Sequence, residues 1–403
     1  MREGALAERQ FRLLLAGGAV SSLGDRLVPV ALAFAVLQLT GSVSDLGLVL
    51  AAQSLPLLAF VLFGGVWADR LPRQRVMLAS DALRMITQGA SAALLFAGAA
   101  QIWQLAALQA LYGAAEGFFI PAATALVPQT VKQENLQQAN ALLGLSSGAA
   151  AIAGPALAGV IVASIGPEWG LAIDAATFLI SAAFLSMIRV DSLLQGGAQL
   201  ASNVIAELRD GWQAFRSRRW LWVSVVYFTL YLALAYSPFR VLGPEVARTK
   251  LGGAGAWAAI STALGVGALA GGLLGLRWRP RYPLRSAFLL FLISGPSLYA
   301  LLAAHVSLAA IIAVALLDGA LGPLFNALWY TAMQREVPAG ELSRVSSWDA
   351  FGALALEPAG LAASGPIAAA IGLSATLYGA GALALILTLA VLAVPAVRNF
   401  TPS

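Results

Sequence analysis

Apolar runs of about 20 residues recur along the whole chain and are separated by short polar breaks. A helix of this length crosses the hydrocarbon core of a bilayer. The pattern therefore predicts an all-α integral membrane protein with twelve transmembrane helices. The predicted spans are 12–39, 44–67, 76–98, 102–127, 140–165, 170–188, 220–240, 255–276, 285–304, 306–331, 347–370 and 373–394.

The longest polar stretch separates the first six spans from the last six. It begins with QGGAQLASN and continues as the amphipathic segment NVIAELRDGWQAFRSRRW. An amphipathic segment with basic and aromatic residues is typical of a helix that lies on a membrane surface. We therefore expect a six-helix bundle at 1–190, a cytoplasmic linker with an amphipathic helix at 191–219, and a second six-helix bundle at 220–403.

The two halves resemble each other. A shift of 206 residues places Leu111 on Leu317, Gly113 on Gly319 and Phe119 on Phe325. A shift of 207 places GGVWADR, which ends the second span, on GGLLGLR, which ends the eighth. Matching residues at matching positions indicate a duplication and predict two pseudo-symmetric bundles.

Positive charge is distributed unevenly between the loops predicted on the two sides of the membrane. Twenty of the 24 Lys and Arg residues, Arg84 among them, fall on one predicted side, and Arg26 falls within a span. The other side holds Arg240, Arg248 and Lys250. Since Lys and Arg concentrate in cytoplasmic loops, both termini are expected in the cytoplasm.

Composition excludes several other classes of protein. Sixty per cent of residues are hydrophobic and 11% are charged, against about 25% charged in a soluble domain. The absence of cysteine and the single histidine, His305, leave almost no material for a metal site or a nucleophilic triad. The sequence lacks the GxxxxGK[ST] segment that binds the phosphates of ATP, which argues against an ATP-driven transporter. It also lacks the basic surface with interspersed aromatic residues that is typical of nucleic-acid binding. We expect a protein that is not an enzyme and needs no cofactor.

The segment GGVWADRLPRQRV at 64–76 resembles the loop between helices two and three of the major facilitator superfamily. The residues that carry this resemblance are Gly65, Asp69, Arg70, Arg73 and Arg75. The resemblance implies two six-helix bundles that open alternately to either side of the membrane. It also implies a monomer of a bacterial inner membrane that interacts with a small-molecule substrate, protons and membrane lipid.

Three further segments resemble exporters within that superfamily. The fifth span contains GPALAG, in which Gly154, Pro155 and Gly159 match a glycine-proline motif of exporters, although Ala158 departs from its fuller form. The segments SLGD at 22–25 and FFIPAATALVP at 118–128 resemble the macrolide-efflux and enterobactin-exporter branch.

The resemblance also implies a cytoplasmic gate. Asp69 would face the start of the eleventh span, where Ser346 or Ser347 is a plausible N-cap. A helix N-terminus attracts an anion, and Arg344 is a second possible partner. The alternative is that Asp69 and the neighbouring arginines only fix the membrane topology.

Ionisable residues inside the spans are the main functional candidates, because each costs roughly 2.5–3.5 kcal/mol to insert. By resemblance, spans one, four, seven and ten line a central cavity, and Asp25, Glu116 and Asp318 fall on that set. We predict these three as proton-coupling residues; the alternative is an interhelical hydrogen bond or a pair with Arg26. Glu357, beside Pro358, is expected to be structural. Asp174 and Asp349 are expected to lie near an interface and to be ordinary.

Aromatic side chains at helical spacing accompany these acids. Substrate contact is predicted for residues on the first, fourth, seventh and tenth spans, namely Arg26, Phe119, Tyr227, Tyr231, Phe325, Asn326 and Trp329. Aromatic walls with a few carboxylates suit a bulky amphipathic or cationic solute. Lipid contact or helix packing is the alternative for the aromatic residues.

The leading functional hypothesis is a secondary active transporter that exports hydrophobic or amphipathic compounds in exchange for protons, as multidrug exporters do. A second hypothesis keeps the fold and makes the substrate a siderophore or a lysophospholipid. A third, from another class, is a membrane scaffold or sensor that does not transport.

Overall fold

The computed structural model describes residues 4–68, 72–189, 204–292 and 294–401. Within these residues, eleven helical segments are long and apolar enough to cross a membrane. A twelfth, Arg73–Phe96, has 24 residues and is equally long enough, but its polar side chains lower its hydropathy. The predicted all-α fold with twelve membrane helices is confirmed.

Two compact units divide the chain, Met1–Ala198 and Gln199–Ser403. The helices of the first unit begin and end within four residues of the predicted spans. They are α1 (Arg9–Thr40), α2 (Val43–Ala68), α3 (Arg73–Phe96), α4 (Ile102–Leu126), α5 (Leu136–Ser164) and α6 (Pro167–Ser186). Helix α1 packs on α5 and α6, α3 packs on α4 and α6, and α2 packs on α4. This arrangement brings the centres of α1, α3, α4 and α6 together.

The second unit has more helices than predicted. The seventh and eleventh spans are interrupted, the ninth is described as two helices on either side of residue 293, which lies outside the described residues, and a short helix follows the last span. Its helices are α7 (Val204–Ser217), α8 (Arg219–Tyr231), α9 (Ser237–Lys250), α10 (Ala254–Gly275), α11 (Pro283–Phe291), α12 (Ser294–Ala303), α13 (Leu308–Glu336), α14 (Ala339–Leu354), α15 (Glu357–Ile371), α16 (Leu373–Ala393) and α17 (Pro395–Arg398). A π-helical turn at Leu232–Tyr236 joins α8 to α9, and these three elements form the seventh span.

The predicted end of the seventh span at residue 240 was wrong. The helix continues to Lys250, which places Arg240 inside α9 and Arg248 and Lys250 in its last turn. Basic residues at a helix C-terminus are favoured by the helix dipole. Arg240 thus lies within a helix and not in a loop after it, whereas the side of the membrane that it faces stays a prediction.

Two of the helix interruptions lie against each other in the second unit. The π-helical turn contacts the start of α15, where Gly360 permits close approach to the carbonyl of Ala233. There Arg240 forms an ion pair with Glu357, the first residue of α15. This ion pair ties α15 to α9 and fits the structural role expected for Glu357.

Glycines at matching positions of the repeat bring helices together in both units. Gly113 of α4 lies against the carbonyl of Gln53 in α2, and Gly319 of α13 lies against the carbonyl of Leu264 in α10. Small residues allow membrane helices to approach this closely. Since Gly113 and Gly319 are 206 residues apart, the repeat in the sequence corresponds to a repeated helix contact.

Candidate functional site

Helix α3 presents a polar face to the interior of the first unit. Its buried polar residues recur at helical spacing and are Ser80, Asp81, Arg84, Thr87, Gln88 and Ser91. Arg84 is only 2% exposed. Its assignment to the charge of the cytoplasmic side was therefore wrong. It lies more than two turns inside α3, where a buried cation needs partners.

Arg84 is held by acids on two helices. Its Nη2 donates to Asp81 Oδ1 at 2.5 Å, and its Nη1 lies 3.7 Å from Asp25 Oδ1 on α1. The guanidinium also lies over the rings of Phe119 and Phe178, 4.1 and 4.3 Å from their centroids. Two acids and two aromatic faces thus replace water around this cation. Phe119 was predicted as a substrate contact; here it packs on Arg84.

Two of the three predicted proton-coupling residues lie beside Arg84. Asp25 accepts a hydrogen bond of 2.7 Å from the hydroxyl of Tyr112, and its side chain remains 32% exposed. Glu116 is half-buried one turn after Tyr112 and interacts electrostatically with Arg84. Asp25 is paired with Arg84 rather than with Arg26, whose side chain is exposed. The proton-coupling role of both acids stays a prediction.

Asp174 lies deep inside the first unit, so the expectation of an ordinary interfacial residue was wrong. Its side chain is fully buried, and Gln88 Nε2 donates to Asp174 Oδ2 at 2.9 Å. Gln109 of α4 in turn donates to Gln88 Oε1 at 3.0 Å. We name Asp25, Asp81, Glu116 and Asp174, together with Arg84, the acid cluster. Asp81 and Asp174 were missed as site residues, although the polar face of α3 pointed to this region.

Asp318 occupies a different environment in the second unit. The Ser294 hydroxyl of α12 donates to Asp318 Oδ1 at 2.9 Å. The hydroxyls of Tyr231 and Tyr299 bond to each other at 3.1 Å and interact electrostatically with Asp318. The partners of Asp318 on the described residues are thus neutral, in contrast to Asp25.

The aromatic candidates of the second unit are packed together. Tyr227, Tyr231, Phe325 and Trp329 are each 3–5% exposed. Phe325 stacks on Trp329 at 5.7 Å, and the Tyr227 hydroxyl bonds to Thr388 at 3.1 Å. Asn326 is exposed. Their burial fits the helix-packing alternative, and a role in lining a substrate cavity stays a prediction.

The gating motif is described only in part, because Asp69 and Arg70 lie outside the described residues. Gly65 lies near the end of α2, Arg75 is exposed, and Arg73 Nη1 donates to the carbonyl of Ala125 at 2.8 Å. Arg73 therefore ties the start of α3 to the end of α4. The contact of Asp69 with the eleventh span stays a prediction.

Arg344 contacts the amphipathic helix α7. Its Nη1 lies 3.6 Å from Asp210 Oδ2, and Arg218 donates to Glu341 at 2.9 Å nearby. A polar cavity of about 470 Å³ lies between these residues of α7 and α14. Because α14 begins at Ala339, Ser346 and Ser347 lie within the helix, and their assignment as N-caps was wrong.

The exporter motif lies where α5 meets α1. Gly154, Pro155 and Gly159 are all buried. The α-carbon of Gly154 lies directly against the backbone and Cβ of Arg26, so a larger residue would separate the helices. The motif thus packs next to Asp25, one residue before Arg26 in the chain.

Comparison with known proteins gives relatives named as efflux proteins. The chain is 27% identical over 410 residues to the multidrug efflux pump Tap of Mycolicibacterium fortuitum, covering 96% of each chain. It is 24% identical over 269 residues to macrolide efflux protein A of Streptococcus pyogenes, covering 66% of this chain and 65% of that protein. The chain spans about half to two thirds of the first curated relatives it matches.

A solved structure and a family model give the fold and the family. The crystal structure of the nucleoside transporter NupG superposes with a TM-score of 0.76 at 13% identity, covering 95% of this chain and 98% of that one. This similarity concerns the fold alone. Residues 14–356 match the model of the Major Facilitator Superfamily. The chain therefore belongs to the Major Facilitator Superfamily of membrane transporters.

Proposed function

We propose that this protein exports hydrophobic or amphipathic small molecules in exchange for protons by alternating access. It would act as a monomer in the cytoplasmic membrane of a bacterium, with both termini in the cytoplasm. The observation that carries the proposal is the pairing of Asp25 with the buried Arg84. When a partly exposed carboxyl beside a buried cation takes up a proton, the net charge inside the membrane-spanning part of the protein changes.

Protonation of Asp25 would change how Arg84 is held. An ionised Asp25 attracts the guanidinium from α1, while Asp81 holds it from within α3. A proton on Asp25 removes the first attraction and leaves the second. The proton thus weakens an electrostatic tie between α1 and α3, which is the kind of local change that biases a transporter between two states.

The proposed class of substrate is supported by other observations. Tap and macrolide efflux protein A are named for efflux of multiple drugs and of macrolides. Asp318 has hydroxyl and aromatic neighbours in place of a basic partner on the described residues. A carboxylate beside tyrosine rings favours a cationic or amphipathic ligand.

Transport into proteoliposomes under an imposed pH gradient tests the proposal. The compounds would be dyes, macrolides, tetracyclines, siderophores and lysophospholipids. Asp25→Asn, Glu116→Gln and Asp318→Asn should each reduce gradient-driven transport at least tenfold while the protein still inserts. Glu134→Gln, which changes an exposed acid, is the matched control and should transport as the wild type does.

Each result separates the hypotheses. Transport of a siderophore or lysophospholipid alone would replace the multidrug assignment by a dedicated carrier of the same fold. Wild-type rates in all three acid variants would remove the proton-coupling assignment. No transport of any compound under either gradient direction would favour a scaffold or sensor.

A further inference from the structure

Asp174 is a buried acid with no ion-pair partner among the described residues. Its side chain is fully buried at the centre of the first unit. Arg84 interacts with Asp174 electrostatically, but its Nη2 and Nη1 pair with Asp81 and Asp25 instead. Moving a carboxylate into such an environment without a paired cation is far more costly than moving the neutral acid.

The hydrogen bonds around Asp174 fit the neutral acid. Gln88 Nε2 donates to Oδ2 at 2.9 Å, so Oδ2 acts as the carbonyl oxygen. The other oxygen, Oδ1, lies 3.5 Å from Thr177 Oγ1. That hydroxyl already donates its hydrogen to the backbone carbonyl of Asp174 at 2.7 Å, so Oγ1 is free to accept. A hydrogen on Oδ1 would therefore find its nearest acceptor in this hydroxyl oxygen, although 3.5 Å is longer than an ordinary O–H···O bond.

An ionised Asp174 would fit this site poorly. It would receive one hydrogen bond from a neutral amide, and its Oδ1 would face a hydroxyl oxygen whose hydrogen points elsewhere. Oδ1 also lies directly against Gly24 of α1, where no side chain can donate a hydrogen bond.

The charged and titratable groups around Asp174 do not favour its ionisation. Helix α1 contributes Asp25 and α3 contributes Asp81 and Arg84, so two acids face one already paired cation. Tyr112 of α4 also interacts with it electrostatically. Helix α5, which packs on α6, contains no charged residue.

We propose that Asp174 is a proton-binding site of the first unit, and that it holds its proton as a neutral carboxylic acid at neutral pH. The proton lies on Oδ1, the oxygen that receives no hydrogen bond from Gln88, and it faces Thr177 Oγ1. Because Asp174 interacts electrostatically with Asp25, its neutral form keeps a second negative charge away from Asp25. This last consequence rests on the proposed role of Asp25, whereas the protonation of Asp174 does not.

Infrared spectroscopy of the purified protein in lipid tests the proposal, because a protonated carboxyl absorbs apart from carboxylates and amides. The wild type minus Asp174→Asn difference at neutral pH should contain one protonated-carboxyl band. Asparagine keeps the hydrogen-bonding groups of the neutral acid, so the melting temperature should change little. Glu134→Gln, the exposed control, should give no such band in its difference spectrum.

A second pair of variants guards against failure of Asp174→Asn to fold. Thr177→Val removes the acceptor of the proton and Gln88→Leu removes the donor to Oδ2, so each should shift the band to higher frequency without abolishing it. A carboxylate band in the Asp174→Asn difference, or no shift in the other two variants, would overturn the proposal. Neither outcome depends on transport, so the spectra can contradict this proposal without contradicting the proposed transport function, and the reverse also holds.

Discussion

Arg84 is the only cation in contact with Asp81 among the described residues, and both side chains are almost fully buried. Breaking such a pair by removing one partner leaves an uncompensated charge and typically costs about 3–5 kcal/mol. We therefore expect Arg84→Met and Asp81→Leu each to lower the free energy of unfolding by about that amount. The melting temperature in detergent, followed by circular dichroism, provides the measurement.

The double variant distinguishes the ion pair from simple packing. Replacing both partners by apolar residues is often neutral, because the desolvation cost disappears with the charges. Arg84→Met combined with Asp81→Leu should therefore recover most of the loss, while Asp25, being 32% exposed, can be solvated. Additive losses would mean that the pair itself contributes nothing.

The site could be predicted from the sequence only in part, residue by residue. Asp25 and Glu116 were chosen as candidates because isolated charges in apolar runs are conspicuous, and both lie beside Arg84. Arg84 was missed because it lies near the start of a predicted span and was counted as cytoplasmic charge. The signal in the sequence was the spacing of Asp81, Arg84 and Gln88 on one helix face. Using this signal would have required knowing that this face points to the interior of the unit.

At the scale of helices, the contact between α2 and α4 depends on Gly113. A Cβ at this position would overlap the carbonyl of Gln53, a backbone atom that cannot move independently. Overpacking of this kind costs about 1–3 kcal/mol. Gly113→Ala should lower the unfolding free energy by that amount, as measured by thermal unfolding.

Gly144→Ala is the matched control for this helix contact. Gly144 also lies within a helix, is exposed, and has open space where the Cβ would be. Because alanine has a higher helix propensity than glycine, this variant should be as stable as the wild type or slightly more stable. Equal effects of the two substitutions would assign the loss to propensity and not to the contact.

The existence of the helices was predicted from the sequence, but their interruptions were not. Runs of apolar residues specify how much chain crosses the membrane, and the first six spans were placed within four residues. The π-helical turn at Leu232–Tyr236 and the break before Glu357 lie against each other, and each is followed within two residues by a proline, Pro238 or Pro358. Proline removes a backbone donor, and its ring clashes with the preceding turn of a helix, so these two prolines were a local signal that the prediction of continuous spans did not use.

At the scale of the whole molecule, the charge distribution predicts which loops face the cytoplasm. The chain contains no cysteine, so a single introduced cysteine is labelled without background labelling of native cysteines. Ala99 and Glu134 are exposed residues on either side of α4. A membrane-impermeant maleimide added to intact cells should label Ala99→Cys and not Glu134→Cys. The reverse pattern would invert the predicted topology, and inverted vesicles supply the control.

The proposed coupling also predicts how steep a solute gradient the transporter can maintain. One charge crossing 100 mV is worth about 2.3 kcal/mol, so a proton-motive force of about 150 mV supplies about 3.5 kcal/mol. With one proton exchanged per neutral solute, this energy sustains a roughly 300-fold concentration ratio. The steady-state ratio in energised vesicles should approach this limit and collapse on addition of a protonophore. A ratio well above that limit would require more than one proton per solute, whereas a ratio insensitive to the protonophore would mean that protons do not drive transport.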